Sequence, residues 1–109
     1  MNFDQYQKRA RVFAVYEEMG YPFFALAEET GEFLGLMAKF KRGDDMVARF
    51  GSVEGFYEAL TKEAGDILWQ LSQALSELDI SMQEAAEMNI KKLEDRMNRG
   101  VIKGSGDNR

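Results

Sequence analysis

Two long stretches of the chain combine the apolar spacing of a packed helix with pairs of carboxylates, and this combination limits the possible folds most strongly. Residues 23–41 are apolar around most of the helical wheel, and residues 55–78 carry a regular apolar stripe. The carboxylates on these stretches are Glu28, Glu29 and Glu32 in the first, and Glu63 and Asp66 in the second. Like charges three or four residues apart destabilise a helix by about 0.2–0.5 kcal/mol. The carboxylate pairs therefore carry a small energetic cost in each helix.

The rest of the chain favours an all-helical fold in a single domain that covers residues 1–109. Only one proline occurs among the 109 residues, and 45% of the residues are apolar, enough for one small core. Apolar spacing and helix signals predict four helices, over residues 3–19, 23–41, 55–78 and 81–98. The expected core face of the fourth helix consists of Met82, Ala86, Ile90, Leu93 and Met97. The long connection between the second and third helices is a candidate lid or subunit contact, and we expect the glycine-rich tail, residues 100–109, to be flexible.

Charge and composition exclude several classes of function. The net charge is −5 and no basic run is present, so the chain lacks the electrostatic footprint of a protein that binds DNA or RNA. It contains no cysteine and no histidine, which removes thiol chemistry, imidazole bases and the usual zinc ligands. A bound metal must then be a hard cation held by carboxylates, such as Mg²⁺ or Mn²⁺. With no signal peptide and no apolar run of about 18 residues, we expect a cytoplasmic protein without a membrane partner.

The two groups of carboxylates are candidates for one metal site. A connection of modest length makes the second and third helices antiparallel neighbours. Carboxylate pairs at i and i+3 on facing helices are how helical bundles build sites for hard cations. An acidic arc on an apolar helix is also typical of a solvated face, and spacing alone leaves both interpretations open. Gly31 and Gly35 lie beside the arc. Interior glycines cost about 1 kcal/mol each relative to alanine, so close helix packing or room for a ligand would explain them.

Other polar and aromatic residues also have two interpretations. Asn89, Lys92 and Arg96 share one flank of the fourth helix. They form either a solvated polar strip or a set of donors that bind phosphate oxygens beside a carboxylate–metal site. Trp69 lies off the apolar stripe of the third helix, which fits either a subunit interface or stacking on a base.

The acidic motifs resemble those of a known enzyme family. Glu29-Thr30-Gly31-Glu32, followed by Glu63-Ala64-Gly65-Asp66, is similar to the Glu-x-x-Glu … Glu-x-x-Asp signature of the MazG-like nucleoside triphosphate pyrophosphohydrolases. The likeness continues through residues 89–96 and 100–109, and it covers essentially the whole chain in the right order. Where the first motif of the family often has glycine before its first glutamate, this chain has Glu28, whose role stays unassigned.

The resemblance implies an all-α domain of four helices that assembles into a helical-bundle homodimer or homotetramer, and whose active site is completed by assembly. It implies Mg²⁺-dependent hydrolysis, with Mn²⁺ as a possible substitute, of nucleoside or deoxynucleoside triphosphates between the α and β phosphates. The products would be a nucleoside monophosphate and pyrophosphate, and the role would be house-cleaning of the nucleotide pool. The alternatives are a dUTP-type or phosphoribosyl-ATP-type pyrophosphohydrolase of the same superfamily, a non-catalytic nucleotide-sensing helical assembly module, and a structural dimerisation bundle.

Carried over by position, the resemblance also implies roles for individual residues. The implied metal ligands are Glu29, Glu32, Glu63 and Asp66. Of these, Glu29 or Glu32 is also the candidate catalytic base, acting directly or through the metal. The implied nucleotide contacts are Asn89, Lys92 and Arg96, with Lys39 as a further phosphate contact. The candidates for stacking on the base are Trp69, Phe40 and Tyr57. Lysine ammonium groups in these positions would neutralise charge on the leaving pyrophosphate.

Overall fold

The fold consists of helices joined by turns. The computed structural model describes residues 1–109. The helices are α1 (Phe3–Arg11), α2 (Tyr21–Lys41), α3 (Met46–Phe50), α4 (Val53–Glu77) and α5 (Met82–Asn98). The prediction of an all-α fold is confirmed, and the short α3 is a fifth helix within the connection between the second and third predicted helices. None of the helices has both the length and the apolar character needed to cross a membrane.

The central feature of the fold is the antiparallel pair formed by α2 and α4. Near one end of the pair, Leu36 of α2 belongs to the same core cluster as Phe56 of α4. Further along, Glu29 and Glu32 of α2 face Glu63 of α4. Residue numbers therefore fall along one helix as they rise along the other, which is the antiparallel arrangement that the sequence predicts.

The two interior glycines of α2 do not mark a close helix contact within this chain. A Cβ atom added at Gly31 or at Gly35 would meet no atom of another residue within 4 Å. The space beside the acidic arc of α2 is therefore open, and close packing of α2 against another helix of the same chain does not explain these residues.

Helix α3 closes one end of the α2–α4 pair. Met46 is almost fully buried between Leu36 and Phe56. The helix begins at a side-chain cap, because the carboxylate of Asp45 accepts a hydrogen bond from the Ala48 N–H at 3.0 Å. A side chain at Gly55 would collide with the carbonyl oxygen of Phe50. The connection thus packs against α4 and does not stand free as a lid.

Helix α1 is shorter than the sequence predicts. It ends at Arg11, and the extension to residue 19 is wrong. The N–H groups of Phe13 and Ala14 donate to carbonyls three residues back, as in a tight turn. Beyond that turn, the Tyr16 hydroxyl and the Gly20 N–H both donate to the carboxylate of Glu77 on α4. These contacts to a distant residue fix a path that apolar spacing within residues 12–20 cannot reveal.

Two glutamine side chains attach α1 to the following helices. The Gln73 carboxamide of α4 donates to the carbonyl oxygen of Ala10 at 2.7 Å and accepts from the Arg11 guanidinium at 2.9 Å. The Gln7 carboxamide of α1 donates to the Ile80 carbonyl at 2.8 Å and accepts from the Met82 N–H at 2.9 Å. The start of α5 is therefore held on α1.

Most of α5 extends away from the other helices. Met82, at the start of the predicted core face, is buried, whereas Ile90 and Met97 are 56% and 64% exposed. The prediction that this face packs in the core is therefore confirmed at the start of α5 and wrong for the rest of the helix in the isolated chain. The radius of gyration is 17.2 Å, compared with about 13 Å for a compact chain of this length. The accessible surface is 8062 Å², compared with about 6,100 Å² for a compact monomer of the same mass. The single chain is thus open and leaves an apolar helical face uncovered.

The packing of α3 generates a stability prediction. Met46→Ala should lower the free energy of unfolding by about 2–4 kcal/mol, because it leaves a cavity between Leu36 and Phe56. Val47→Ala, at the half-exposed neighbouring position, should change it by less than about 0.5 kcal/mol. Urea denaturation at one fixed protein concentration measures both values. Equal losses for the two variants would contradict the buried role of Met46.

Candidate metal centre

Three carboxylates from the two central helices meet at one point. Glu29 and Glu32 lie one helical turn apart on α2, and Glu63 lies opposite them on α4. Each of the three offers one oxygen such that these oxygens all lie within 4.8 Å of one another. We refer to Glu29, Glu32 and Glu63 as the acid cluster. The antiparallel packing of α2 on α4 therefore brings together carboxylates that are separated by about 30 residues in the sequence.

The acid cluster contains buried acceptor atoms without partners. Glu29 and Glu63 are partly buried, whereas Glu32 is exposed. One carboxylate oxygen of Glu29 and one of Glu63 are inaccessible to solvent and accept no hydrogen bond. Leaving a buried acceptor unpaired costs about 1–3 kcal/mol, and more for a charged group. Because hard cations are bound by carboxylate oxygens, the donor set fits Mg²⁺ or Mn²⁺.

The electrostatics of the acid cluster favour protonation when no cation is bound. Burial, followed by repulsion from Glu32 and Asp66, raises the pKa of Glu29 to about 7. Burial and the charge of Glu32 also raise the pKa of Glu63. No lysine or arginine is among the groups that shift these two pKa values. No basic side chain of the same chain therefore offsets the charge of Glu29 or Glu63.

Asp66 lies next to the acid cluster but does not join it. Its oxygens are not among those that lie within 4.8 Å of one another. Its charge still contributes to the raised pKa values of Glu29 and Glu63. The Asp66 side chain lines a neighbouring cavity of about 480 Å³, together with Tyr6 and Trp69. Three of the four predicted ligands thus meet, and the role of Asp66 as a ligand stays a prediction.

The predicted cations of α5 contact the tail of the chain. Lys92 Nζ lies 2.9 Å from a carboxylate oxygen of Asp107. Arg96 donates to the same oxygen at 3.0 Å and to the Asp107 carbonyl at 2.8 Å. Arg96 is almost fully buried by these contacts, whereas Asn89 is exposed. Hydrogen bonds from Lys92 and Arg96 hold the pKa of Asp107 below its usual range. The tail therefore folds back on α5 instead of extending from it.

Trp69 lies between two cavities that border the acidic residues. One is the cavity that contains Asp66, and the other, of about 670 Å³, contains Glu29. The indole Nε1–H of Trp69 is buried and has no acceptor. Phe13 lines both cavities. The remaining predicted phosphate contact, Lys39, is partly buried on α2.

One residue beside the acid cluster was not found from the sequence. Gln70 is almost fully buried and lines the cavity that contains Glu29. It lies seven residues after Glu63, and therefore on the same face of α4. That spacing was the available signal, but a glutamine on a predicted helix is far more often a surface residue.

The raised pKa of Glu29 generates a prediction for metal-free protein. The folded chain binds a proton at Glu29 between its ordinary pKa, near 4.5, and about 7. The unfolded chain binds fewer protons over this range, so the free energy of unfolding contributed by this group falls as the pH rises. Relative to Glu29→Gln, wild type should lose stability between about pH 5 and pH 8, as measured by urea denaturation in the presence of a chelator.

Glu94→Gln, on the exposed side of α5, is the matched control and should parallel wild type across the same range. A stability difference between wild type and Glu29→Gln that is equal at both ends of the range would contradict the raised pKa.

Comparison with known proteins identifies the family. Residues 23–101 match the MazG nucleotide pyrophosphohydrolase domain, and this segment contains the acid cluster and Asp66. The chain is also 33% identical to the Gene 37 protein of Mycobacterium phage L5, over 118 aligned positions that span the whole of both proteins. No solved structure gives a significant match. The predicted family is therefore confirmed, and the chain belongs to the family of MazG nucleotide pyrophosphohydrolases.

Proposed function

We propose that this protein is a Mg²⁺-dependent pyrophosphohydrolase that cleaves nucleoside or deoxynucleoside triphosphates between the α and β phosphates. The products are a nucleoside monophosphate and pyrophosphate, and the role is removal of unwanted nucleotides from the pool. The acid cluster is the observation that carries this proposal. Its three carboxylates occupy motif positions of the family, and two of their oxygens are buried without a partner.

The acid cluster would hold the metal, with Asp66 beside it as a further ligand. Bound Mg²⁺ supplies positive charge that offsets the charge of the phosphates and polarises the phosphorus under attack. The carboxylate of Glu29 or Glu32 accepts the proton of the attacking water, since these two residues lie at the cluster and the chain has no histidine. The water oxygen forms the new bond to phosphorus, and the bond to the departing phosphate oxygen breaks.

The site is proposed to be completed by a second copy of the chain, in a homodimer or homotetramer. The isolated chain exposes about 1,900 Å² more surface than a compact monomer of its mass, whereas a standard interface buries about 800 Å² per partner. The uncovered apolar face of α5 includes Ile90 and Met97. No lysine or arginine of the same chain shifts the pKa of Glu29 or Glu63. We therefore infer that Asn89 and Lys92 reach the phosphates from a second copy of the chain, and that Lys39 of α2 is a further phosphate contact.

Arg96 has a different proposed role from Lys92. Its guanidinium is buried and holds Asp107 through two hydrogen bonds. Lys92 is more exposed, with 40% of its side chain accessible. We therefore assign phosphate contact to Lys92, and assign to Arg96 the positioning of the tail that lies next to it.

The activity is tested by pyrophosphate release from a panel of canonical and modified nucleoside triphosphates, with and without Mg²⁺. Wild type should release pyrophosphate only with the metal. Glu32→Gln and Asp66→Asn should each lower kcat by at least about 100-fold, because each removes a metal ligand worth several kcal/mol in the transition state. Circular dichroism should show unchanged helical content.

Glu94→Gln serves as the control and should retain wild-type turnover. Absence of release from every substrate, with a folded sample, would refute the enzyme. Near-normal activity of Glu32→Gln or Asp66→Asn would refute the ligand assignment while leaving the enzyme in place.

The proposed assembly is tested by sedimentation velocity. Wild type should sediment as a dimer or tetramer. Leu93→Glu, which places a charge on the uncovered face of α5, should shift the protein toward monomer and lower its activity in parallel. A stable monomer with full activity would contradict a site shared between two copies.

A further inference from the structure

The larger of the two cavities beside Trp69 is lined by aromatic and polar residues. It has a volume of about 670 Å³ and lies between the α1–α2 connection and one face of α4. Its lining includes Phe13, Tyr21, Glu29, Trp69 and Gln70. Because Glu29 belongs to both the cavity and the acid cluster, a nucleotide with its phosphates at the cluster would place its nucleoside here.

Besides Glu29 and Trp69, whose buried polar atoms have no partner, the cavity contains Gln70, whose carboxamide is bound by no other side chain or backbone group. Its residue surface is only 6% exposed, and its carboxamide takes part in none of the side-chain hydrogen bonds of the chain. Gln73, one turn further along α4 and also in the cavity wall, uses both ends of its carboxamide on Ala10 and Arg11. The two glutamines therefore have different roles. Gln73 joins α4 to α1, whereas the carboxamide of Gln70 is available to a ligand.

The cavity also offers flat apolar surface. Phe13, Tyr21 and Trp69 each contribute a ring to its lining, and aromatic rings provide stacking surfaces for bases. Its wall on the α1–α2 connection is anchored, because Tyr16 and Gly20 both donate hydrogen bonds to Glu77. A planar ring system with a hydrogen-bonding edge matches this combination of aromatic walls and one free carboxamide.

The charges of the cavity indicate which edge of a base it favours. Glu17 and Glu18 contribute two further carboxylates to the lining. Carboxylates accept hydrogen bonds from exocyclic amino groups and repel carbonyl oxygens. A glutamine carboxamide pairs with an amino group beside a ring nitrogen, and after a half-turn it pairs instead with a carbonyl beside an N–H group. Because the same cavity is lined by glutamates, the orientation that turns the amide oxygen away from them and toward the amino group of a base is favoured. An edge that carries an amino group next to a ring acceptor occurs in cytosine and adenine, whereas uracil and hypoxanthine present a carbonyl at that place.

We propose that this cavity binds the base of the nucleotide, and that Gln70 selects bases with an exocyclic amino group through a paired hydrogen bond with the amino group and the adjacent ring nitrogen. Gln70 is thus a specificity-determining residue of the proposed pyrophosphohydrolase. This assignment rests on the proposed function for the identity of the ligand as a nucleotide.

The binding test uses a reporter that is built into the cavity. Trp69 is the only tryptophan of the chain, so its fluorescence reports ligands that enter beside it. Titration of the full-length protein with dCMP in Mg²⁺ should quench this fluorescence with saturation, at a Kd at least about 10-fold lower than that of dUMP. The isosteric variant Gln70→Met should bring the two Kd values to within about twofold. Gln5→Met, on α1 outside the cavity, should keep the wild-type difference.

The catalytic test compares substrates that differ only in an amino or a carbonyl group. The ratio of kcat/KM for dCTP over dUTP, and for ATP over ITP, should favour the amino-bearing substrate in wild type and fall about 10-fold in Gln70→Met. The inference would be overturned if wild type bound dCMP and dUMP equally or preferred dUMP. It would also be overturned if Gln70→Met left the kcat/KM ratios unchanged. Neither result would contradict the proposed hydrolysis of nucleotides. Binding that depends on Gln70 without hydrolysis of any triphosphate would support the base pocket and refute the enzyme.

Discussion

The acid cluster depends on the packing of α2 against α4, which holds three carboxylates close together although they repel one another. Glu29, Glu32 and Glu63 are held within 4.8 Å of one another by the packing of α2 against α4. That packing comes from apolar contacts near Leu36 and Phe56, so the core holds the carboxylates together against their mutual repulsion. Burial, together with repulsion from Glu32 and Asp66, raises the pKa of Glu29. A cation at the acid cluster would offset the repulsion among the carboxylates. The α2–α4 pair would then be more stable than it is without metal.

The open shape of the chain also leaves groups without the contacts that they need. Helix α5 is attached at its start through Gln7 and then leaves the other helices. Its apolar face is uncovered, and its cations contact Asp107 of the tail instead of the acid cluster. A chain that separates its carboxylates from its cations in this way has the components of a phosphate site on different surfaces. Assembly of two copies would bring those surfaces together, which is why the proposed function includes an oligomer.

The sequence predicted the parts of the structure that periodic spacing controls. Helices α2, α4 and α5 follow regular apolar patterns, and the facing positions of Glu29 and Glu63 follow from antiparallel pairing of the first two. The end of α1 was missed because Glu77, a residue far along the chain, holds Tyr16 and Gly20. Helix α3 was missed because burial of Met46, and not a long periodic pattern, stabilises it. Gln70 was missed because it differs from Gln73 only in its contacts: Gln73 binds Ala10 and Arg11, which are distant in the sequence, and Gln70 does not.

The most direct test of the account is an equilibrium titration of metal-free protein with Mn²⁺, followed by the electron paramagnetic resonance signal of the free ion. The account predicts saturable binding by wild type, and at least about 10-fold weaker binding by Glu63→Gln with its helical content intact, because one of three clustered ligands has lost its charge. Absence of saturable binding by wild type, or equal binding by Glu63→Gln, would contradict the acid cluster as a metal centre.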